Sequence, residues 1–210
     1  MHFARRGYPW ILGLGVASLV FGLLDLRAAA LPLLGLALFS AWFFRDPERV
    51  APVGDGLVLA PADGRVVAVE SGVRRESLFP GPLSRVSIFM SPLDVHVNRV
   101  PLSGRVLEVR HQRGKFRAAF SPEASDVNER NAVVIEDRQG RRVILVQVAG
   151  MLARRIFCSL EGGEEVTGGQ RYGMIAFGSR LDLYHPPQLV LRVGVGERVK
   201  AGETVIGEYP

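Results

Sequence analysis

Three short stretches of the chain carry residue types able to do chemistry. They are Pro61-Ala62-Asp63-Gly64, the segment from Ser91 to Pro101 with Asp94, His96, Asn98 and Arg99, and Phe177-Gly178-Ser179-Arg180. Each also has an ordinary structural reading. Asp63-Gly64 makes a good turn, the glycine supplying positive φ and the aspartate bonding nearby backbone. Asp94, His96 and Asn98 share one face of a strand by the period of two, where a histidine is commonly packed or hydrogen-bonded. Gly178-Ser179 is a common turn dipeptide. The four histidines form no H-x-x-x-H or H-E-x-x-H pair, so a metal site has no support in the sequence. No G-x-S-x-G elbow, P-loop or G-x-G-x-x-G fingerprint occurs either. The single cysteine, Cys158, excludes a disulfide framework and a Cys-cluster metal centre.

The elements that must position these residues divide the chain in two. With 210 residues, 48% apolar and 22% charged, there is room for one modest domain and an appendage. Net charge is +5 with a pI near 10.0, which invites a nucleic-acid partner. An aromatic content of 8% and a mean hydropathy of +0.17 argue against one and point to a membrane. The apolar excess lies at the N-terminus: Trp10 to Leu24 is an uncharged run of 15 and Ala28 to Phe44 a run of 17. A straight crossing needs about 20 apolar residues, so either both runs cross with help from their flanks or they form a hairpin that dips into one leaflet. Arg5 and Arg6 precede the first run and Arg45 and Arg49 follow the second, which puts both outer ends and the body of the protein in the cytoplasm. A cleaved signal ending at Ala28 to Ala30 fits less well, because it leaves a second apolar run at the new N-terminus.

From Arg45 to Pro210 the chain holds 23 basic and 20 acidic residues and its apolar residues alternate. Val66–Val69, Val86–Phe89, Val106–Val109, Val133–Ile135, Val143–Val148, Met174–Phe177, Leu189–Val193 and Thr204–Ile206 read as short strands bounded by Gly, Pro or Asp. The expectation is a mainly β protein: a compact sandwich or barrel-like domain over 45–210, preceded by a hydrophobic helical hairpin over 1–44. Gly114 to Arg130 lacks alternation and reads as a short helix or a loop. One basic cluster, Arg105, Arg110, Arg113, Lys115 and Arg117, is either a solvated face or a contact for anionic lipid headgroups, for which Arg113, Lys115 and Arg117 are the candidates.

Taken together, the motifs resemble the phosphatidylserine decarboxylases, specifically the short prokaryotic type, over nearly the whole chain. A hydrophobic hairpin ending Phe43-Phe44-Arg45-Asp46-Pro47 comes first. It is followed by Pro61 to Gly64, the Asp94/His96 segment, Asn128-Glu129-Arg130-Asn131, Ala149-Gly150 with Ala153-Arg154-Arg155, and Gly178-Ser179, in the family's order. The resemblance implies a proenzyme that cuts itself between Gly178 and Ser179, leaving a β chain of 178 residues and an α chain of 32 as a heterodimer. It implies further that Ser179 becomes a covalent pyruvoyl cofactor, an electron sink for decarboxylating phosphatidylserine to phosphatidylethanolamine. Ser179 is then the nucleophile, and His96 the acid, with an ordinary pKa near 6.5 that suits proton transfer around neutrality. Asp63 is the partner in self-cleavage that orients a base or stabilises its charged form. The implied partners are a phospholipid substrate and the membrane at its cytoplasmic face, with no nucleic acid; a higher oligomer is left open.

Two residues depart from the family pattern, the first being Arg180, which follows the cleavage serine where the family usually has Ser or Thr and which short members tolerate. Longer members carry a second histidine in the Asp94 to Pro101 segment where this chain has Arg99, and an arginine cannot serve as a base. Either His96 covers both self-cleavage and decarboxylation or another group assists the first. A serine headgroup on an archaeal-type ether lipid would undergo the same chemistry. From another class, Leu59 to Val66 and Val193 to Tyr209 look like the halves of a biotinyl, lipoyl or phosphocarrier domain, which would make the chain a membrane-anchored carrier, or an anchored structural domain, without lyase activity.

Overall fold

The computed structural model describes residues 2–75, 79–117, 127–150, 155–176 and 179–210. It forms two compact units, residues 1–48 and 49–210.

In the first unit, β1 (His2–Phe3) pairs antiparallel with β2 (Arg45–Asp46), closing the ends of a helical hairpin of α1 (Tyr8–Leu23) and α2 (Arg27–Phe43). Pro9 lies in the first turn of α1, where no backbone N–H is needed. The hairpin turns at Asp25, whose φ of 57° is the left-handed conformation that ends helices. Its N–H donates to Gly22 O, and the Leu26 N–H donates to Phe21 O. The Ser18 hydroxyl donates to Ala30 O at 2.8 Å and ties the helices together. Leu12, Leu19, Leu23, Leu31 and Leu38 are all exposed, so the apolar surface faces outward, the reverse of a helix packed in water. The helical stretch Arg5–Leu23 is long and apolar enough to cross a membrane by length and composition, while Arg27–Phe43 is shorter.

Among the described residues the second unit has fourteen strands. The first seven are β3 (Leu57–Leu59), β4 (Gly64–Arg75), β5 (Phe79–Met90), β6 (Val97–Arg99), β7 (Gly104–Gln112), β8 (Arg130–Glu136) and β9 (Arg142–Val148). After them come β10 (Ile156–Cys158), β11 (Glu165–Val166), β12 (Arg171–Ile175), β13 (Ser179–His185), β14 (Val190–Leu191), β15 (Arg198–Val199) and β16 (Val205–Glu208). Eight of them form one antiparallel sheet in the order β11-β7-β8-β9-β13-β5-β4-β15, which curls into a half-barrel. Two three-stranded sheets, β10-β12-β6 and β14-β16-β3, complete the unit. The last of these, with the β15–β4 pair, joins the two carrier-like stretches through Leu59↔Val205 and Arg65↔Arg198. Of the irregular stretch after Gly114, residues 118–126 lie outside the described set; Lys115 and Asn128 form an isolated bridge.

The centre of the large sheet is buried on both faces. Val133, Ile135, Val143, Leu145, Leu181 and Leu183 enter the main core, and Ala132, Val134, Ile144, Val146, Val148 and Tyr184 form a second apolar cluster. That is why residues 143–148 read as an almost continuous apolar run instead of alternating with polar ones. One glycine is dictated by packing: Gly64, with φ of 141°, starts β4 so close to its neighbour that a Cβ would stand 2.1 Å from Phe89 O.

Candidate active site

Ser179 is the first residue of β13 and pairs in register with Met90, the last residue of β5. It is fully buried, and its hydroxyl has the Met90 Sδ as acceptor at 4.0 Å. A thioether accepts weakly, so the hydroxyl is held in place without being committed to a strong bond. Upstream, the Ile175 N–H donates to His96 O at 3.4 Å and the Ala176 N–H to Arg155 O at 3.1 Å, so the strand leading to Ser179 is tied directly to the histidine segment. Phe177 and Gly178, and with Gly178 the expected scissile bond, lie outside the described residues, as do Ala153 and Arg154.

His96 is also fully buried, but it does not share a strand face with Asp94. Only Val97–Arg99 is extended, because Asp94 caps a turn. Its Oδ2 accepts from the Ser91 N–H at 2.8 Å and from the Ser91 hydroxyl at 2.7 Å, and its own N–H donates to Ser91 O. An aspartate bonding backbone two or three residues away competes with strand pairing. The turn delivers the Asp94 carbonyl to the His96 Nδ1 at 2.9 Å. A carbonyl only accepts, so Nδ1 carries the proton and the neutral ring has its lone pair on the buried Nε2.

Asp63 bonds partners far from its own turn. Its Oδ2 pairs with the Arg49 guanidinium at 2.8 Å and its Oδ1 accepts from the Ala201 N–H at 2.8 Å. Burial pushes its carboxyl above the ordinary range and outweighs the opposing pull of Arg49. Arg49, which the sequence counts among the flanking charges of the hairpin, is thus buried against Asp63. The same turn reaches the histidine segment through the backbone, the Arg99 N–H donating to Pro61 O at 2.9 Å. The Arg99 side chain turns elsewhere: its Nη1 donates to Gly169 O at 2.9 Å, a structural bond in a buried setting.

Behind Ser179, three linked amides are buried in a mostly apolar core: Asn98, Asn131 and Gln147. Gln147 escaped the sequence reading because one polar residue in Val-Ile-Leu-Val-Gln-Val looks like a surface position; the signal was its place where the apolar neighbours on both sides are buried. The basic candidates Arg113, Lys115 and Arg117 are exposed, and the Arg117 backbone is clamped at both N–H and C=O by the Asn128 side chain. A cavity of about 540 Å³, lined by Leu57, Leu102, Arg138 and Tyr209 among others, includes none of Asp63, His96 or Ser179. It borders the start of β9, whereas Ser179 adjoins the end of that strand, so it is a separate feature.

The sequence as a whole has close counterparts. The family profile described as phosphatidylserine decarboxylase matches residues 36–207. A protein of Syntrophus aciditrophicus (strain SB) called phosphatidylserine decarboxylase proenzyme is 44% identical over 208 residues, covering 98% of this chain and 97% of its own. Proteins with the same name from Saccharopolyspora erythraea and Nocardia farcinica are 48% identical over 212 residues and 51% over 175. They cover 99% and 82% of this chain, and 88% and 74% of their own lengths. With a profile match that takes in the Asp63 turn, the His96 segment and the buried Ser179 alike, the chain belongs to the phosphatidylserine decarboxylase family.

Proposed function

We propose that the chain is a proenzyme that cuts itself between Gly178 and Ser179 and then decarboxylates phosphatidylserine to phosphatidylethanolamine and CO2. The observation that carries this reading is the fully buried Ser179 hydroxyl, faced by a weak thioether acceptor, at the first position of a central strand. In self-cleavage His96 Nε2 takes the Ser179 proton as Oγ attacks the Gly178 carbonyl; the C–N bond breaks and the nitrogen is protonated, leaving an ester. Loss of the Ser179 Cα proton then breaks the Cβ–O bond, so Gly178 departs as a carboxylate and residue 179 becomes dehydroalanine. Its tautomer takes up water, releases ammonia and leaves a pyruvoyl group. That group has fewer heavy atoms than an N-terminal serine and fits the slot that Ser179 occupies. When formed, it supplies a carbonyl electron sink for an amine-bearing substrate that loses CO2.

The surrounding residues bind, hold and move protons. His96 is the group that returns a proton to the former carboxylate carbon. Asp63, fastened by Arg49 and Ala201, braces the Pro61 carbonyl on which the His96 segment hangs and adds a carboxylate field that steadies a protonated imidazole. The hairpin anchors the 49–210 unit at the cytoplasmic face of the membrane, and Arg113, Lys115 and Arg117 meet anionic headgroups. The double variant R113A/R117A should bind anionic vesicles about tenfold or more weakly at low salt, each basic residue being worth roughly 1 kcal/mol.

A denaturing intact-mass spectrum of the purified chain tests the reading without substrate. Two species are expected, the smaller covering residues 179–210 and lighter by one ammonia than the plain peptide. A single full-length mass, in protein that is folded and membrane-bound, would overturn it.

A further inference from the structure

The three buried amides behind Ser179 are joined in one direction. The Asn131 Nδ2 donates to the Gln147 Oε1 at 3.2 Å. The Gln147 Nε2 donates to the Asn98 Oδ1 at 2.9 Å and to the Phe157 carbonyl at 3.2 Å. The Asn98 Nδ2 then points at the Met90 Sδ, 3.7 Å away, the same sulfur that lies 4.0 Å from the Ser179 Oγ.

The orientation of this chain follows from one backbone atom. Phe157 O can only accept, so the Gln147 atom beside it must be the nitrogen. Gln147 therefore shows its nitrogen to Asn98 as well, Asn98 must answer with its oxygen, and its NH2 group is left facing the Met90 sulfur, against which the Ser179 hydroxyl also lies. No amide flip satisfies the set otherwise. Gly173 makes room: a Cβ there would stand 2.3 Å from Phe157 O and 2.9 Å from the Gln147 Nε2.

A fully buried NH2 group in an aliphatic core is costly unless it bonds well, and a thioether is among the poorest acceptors a protein offers. The donor is thus oriented by strong bonds on its far side and meets a weak one on its near side, the sulfur that also receives the Ser179 hydroxyl. We infer that Asn98 is a further catalytic residue: once residue 179 carries a ketone oxygen, the Asn98 Nδ2–H donates to it and stabilises negative charge there. Gln147 and Asn131 are the positioning residues that aim it. This rests on the pyruvoyl reading of Ser179, but it assigns that site a donor of its own.

The test uses the full-length membrane protein in detergent, with three readouts: chain cleavage by intact mass, hydrazone formation with phenylhydrazine followed by absorbance, and phosphatidylserine turnover. N98L keeps the size and removes the donor. It should cleave within about threefold of the wild-type rate, while hydrazone formation and kcat fall about 10²-fold with KM within twofold, the loss expected for one donor at a developing oxyanion. N98D keeps the shape and the bond from Gln147 in case N98L does not fold. Its buried carboxyl donates only when protonated, so its kcat should fall with rising pH more steeply than that of the wild type. A cleaved N98L with wild-type hydrazone formation and kcat would overturn the inference, and so would equal losses in cleavage and turnover, or an N98D profile parallel to wild type. Failure of the wild-type chain itself to cleave would instead remove the pyruvoyl reading.

Discussion

The two faces of β13 are built on opposite plans. On one face Ser179, Leu181 and Leu183 meet the main core, beside which uncharged amides are linked by directed hydrogen bonds. On the other, Arg180 and Asp182 form an ion pair at 3.1 Å with no solvent access, and Arg85 lies 4.0 Å from Asp182 while its Nη2 bonds both oxygens of Glu70. Burial would lower the Arg85 pKa, yet Glu70, Tyr184 and Asp182 together raise it, so the guanidinium stays charged. Charges in a core hold a strand in register, because any slip leaves one unpaired at high cost. Neutral amides do something charges do badly: they aim a donor without imposing a fixed field that would shift the pKa of a nearby histidine. Buried charge is thus concentrated on one face and the proposed chemistry on the other, in a single seven-residue strand.

That contrast can be broken by substitution, beginning with the largest effect. Ser179→Ala removes the attacking hydroxyl, and the expected outcome is complete loss of cleavage, read as one full-length mass, in a chain whose urea midpoint barely moves. His96→Ala should lower turnover by about 10²- to 10⁴-fold in whatever fraction has matured, as for loss of a general acid; full activity there would take His96 out of the mechanism. On the opposite face the signs reverse. Asp182→Asn leaves Arg180 and Arg85 without their shared carboxylate and should cost about 3–5 kcal/mol of stability, the usual result of breaking a buried pair. Its matured fraction should keep kcat within threefold, and a collapse of kcat at normal stability would show that the two faces are not separable.

The smallest effect concerns the far end of the strand. His185 is buried, its Nδ1 lies 2.8 Å from Pro186 O, and desolvation lowers its pKa below the ordinary 6.5. The unfolded chain therefore binds a proton here more readily than the folded one, so this contribution to stability is complete above pH 6.5 and is lost as pH falls toward the folded value. Urea midpoints between pH 7 and 5 should drop by an amount that His185→Gln removes, on the order of 1 kcal/mol per pH unit at most. Asp63 has the opposite sign, its raised carboxyl pKa making the folded state the better proton acceptor just above pH 3.8.

Much of this architecture was legible in the residues. Two uncharged runs around Asp25 define the hairpin because apolar length is a local property, and Val-rich stretches between glycines define the strands for the same reason. Ser179, His96 and Asp63 stand out as candidates through the order of short motifs, each too ordinary alone. The Asp94 turn was misread as strand because alternation cannot reveal that a side chain will bond the backbone of Ser91 instead of facing a partner strand. The role of Arg49 was equally hidden: its partner Asp63 is fourteen residues away, and Ala201, which shares that carboxylate, is far beyond.

By itself, then, the sequence determined the elements and the family and singled out the candidate reacting residues, since these depend on side-chain type and near-neighbour spacing. Only the tertiary structure decided which tautomer His96 adopts, which way the Asn131-Gln147-Asn98 chain points, and that Arg180 and Asp182 turn their backs on the site. Those are properties of atoms brought together from distant strands, where the orientation of one carbonyl, that of Phe157, fixes the direction of every hydrogen bond behind it.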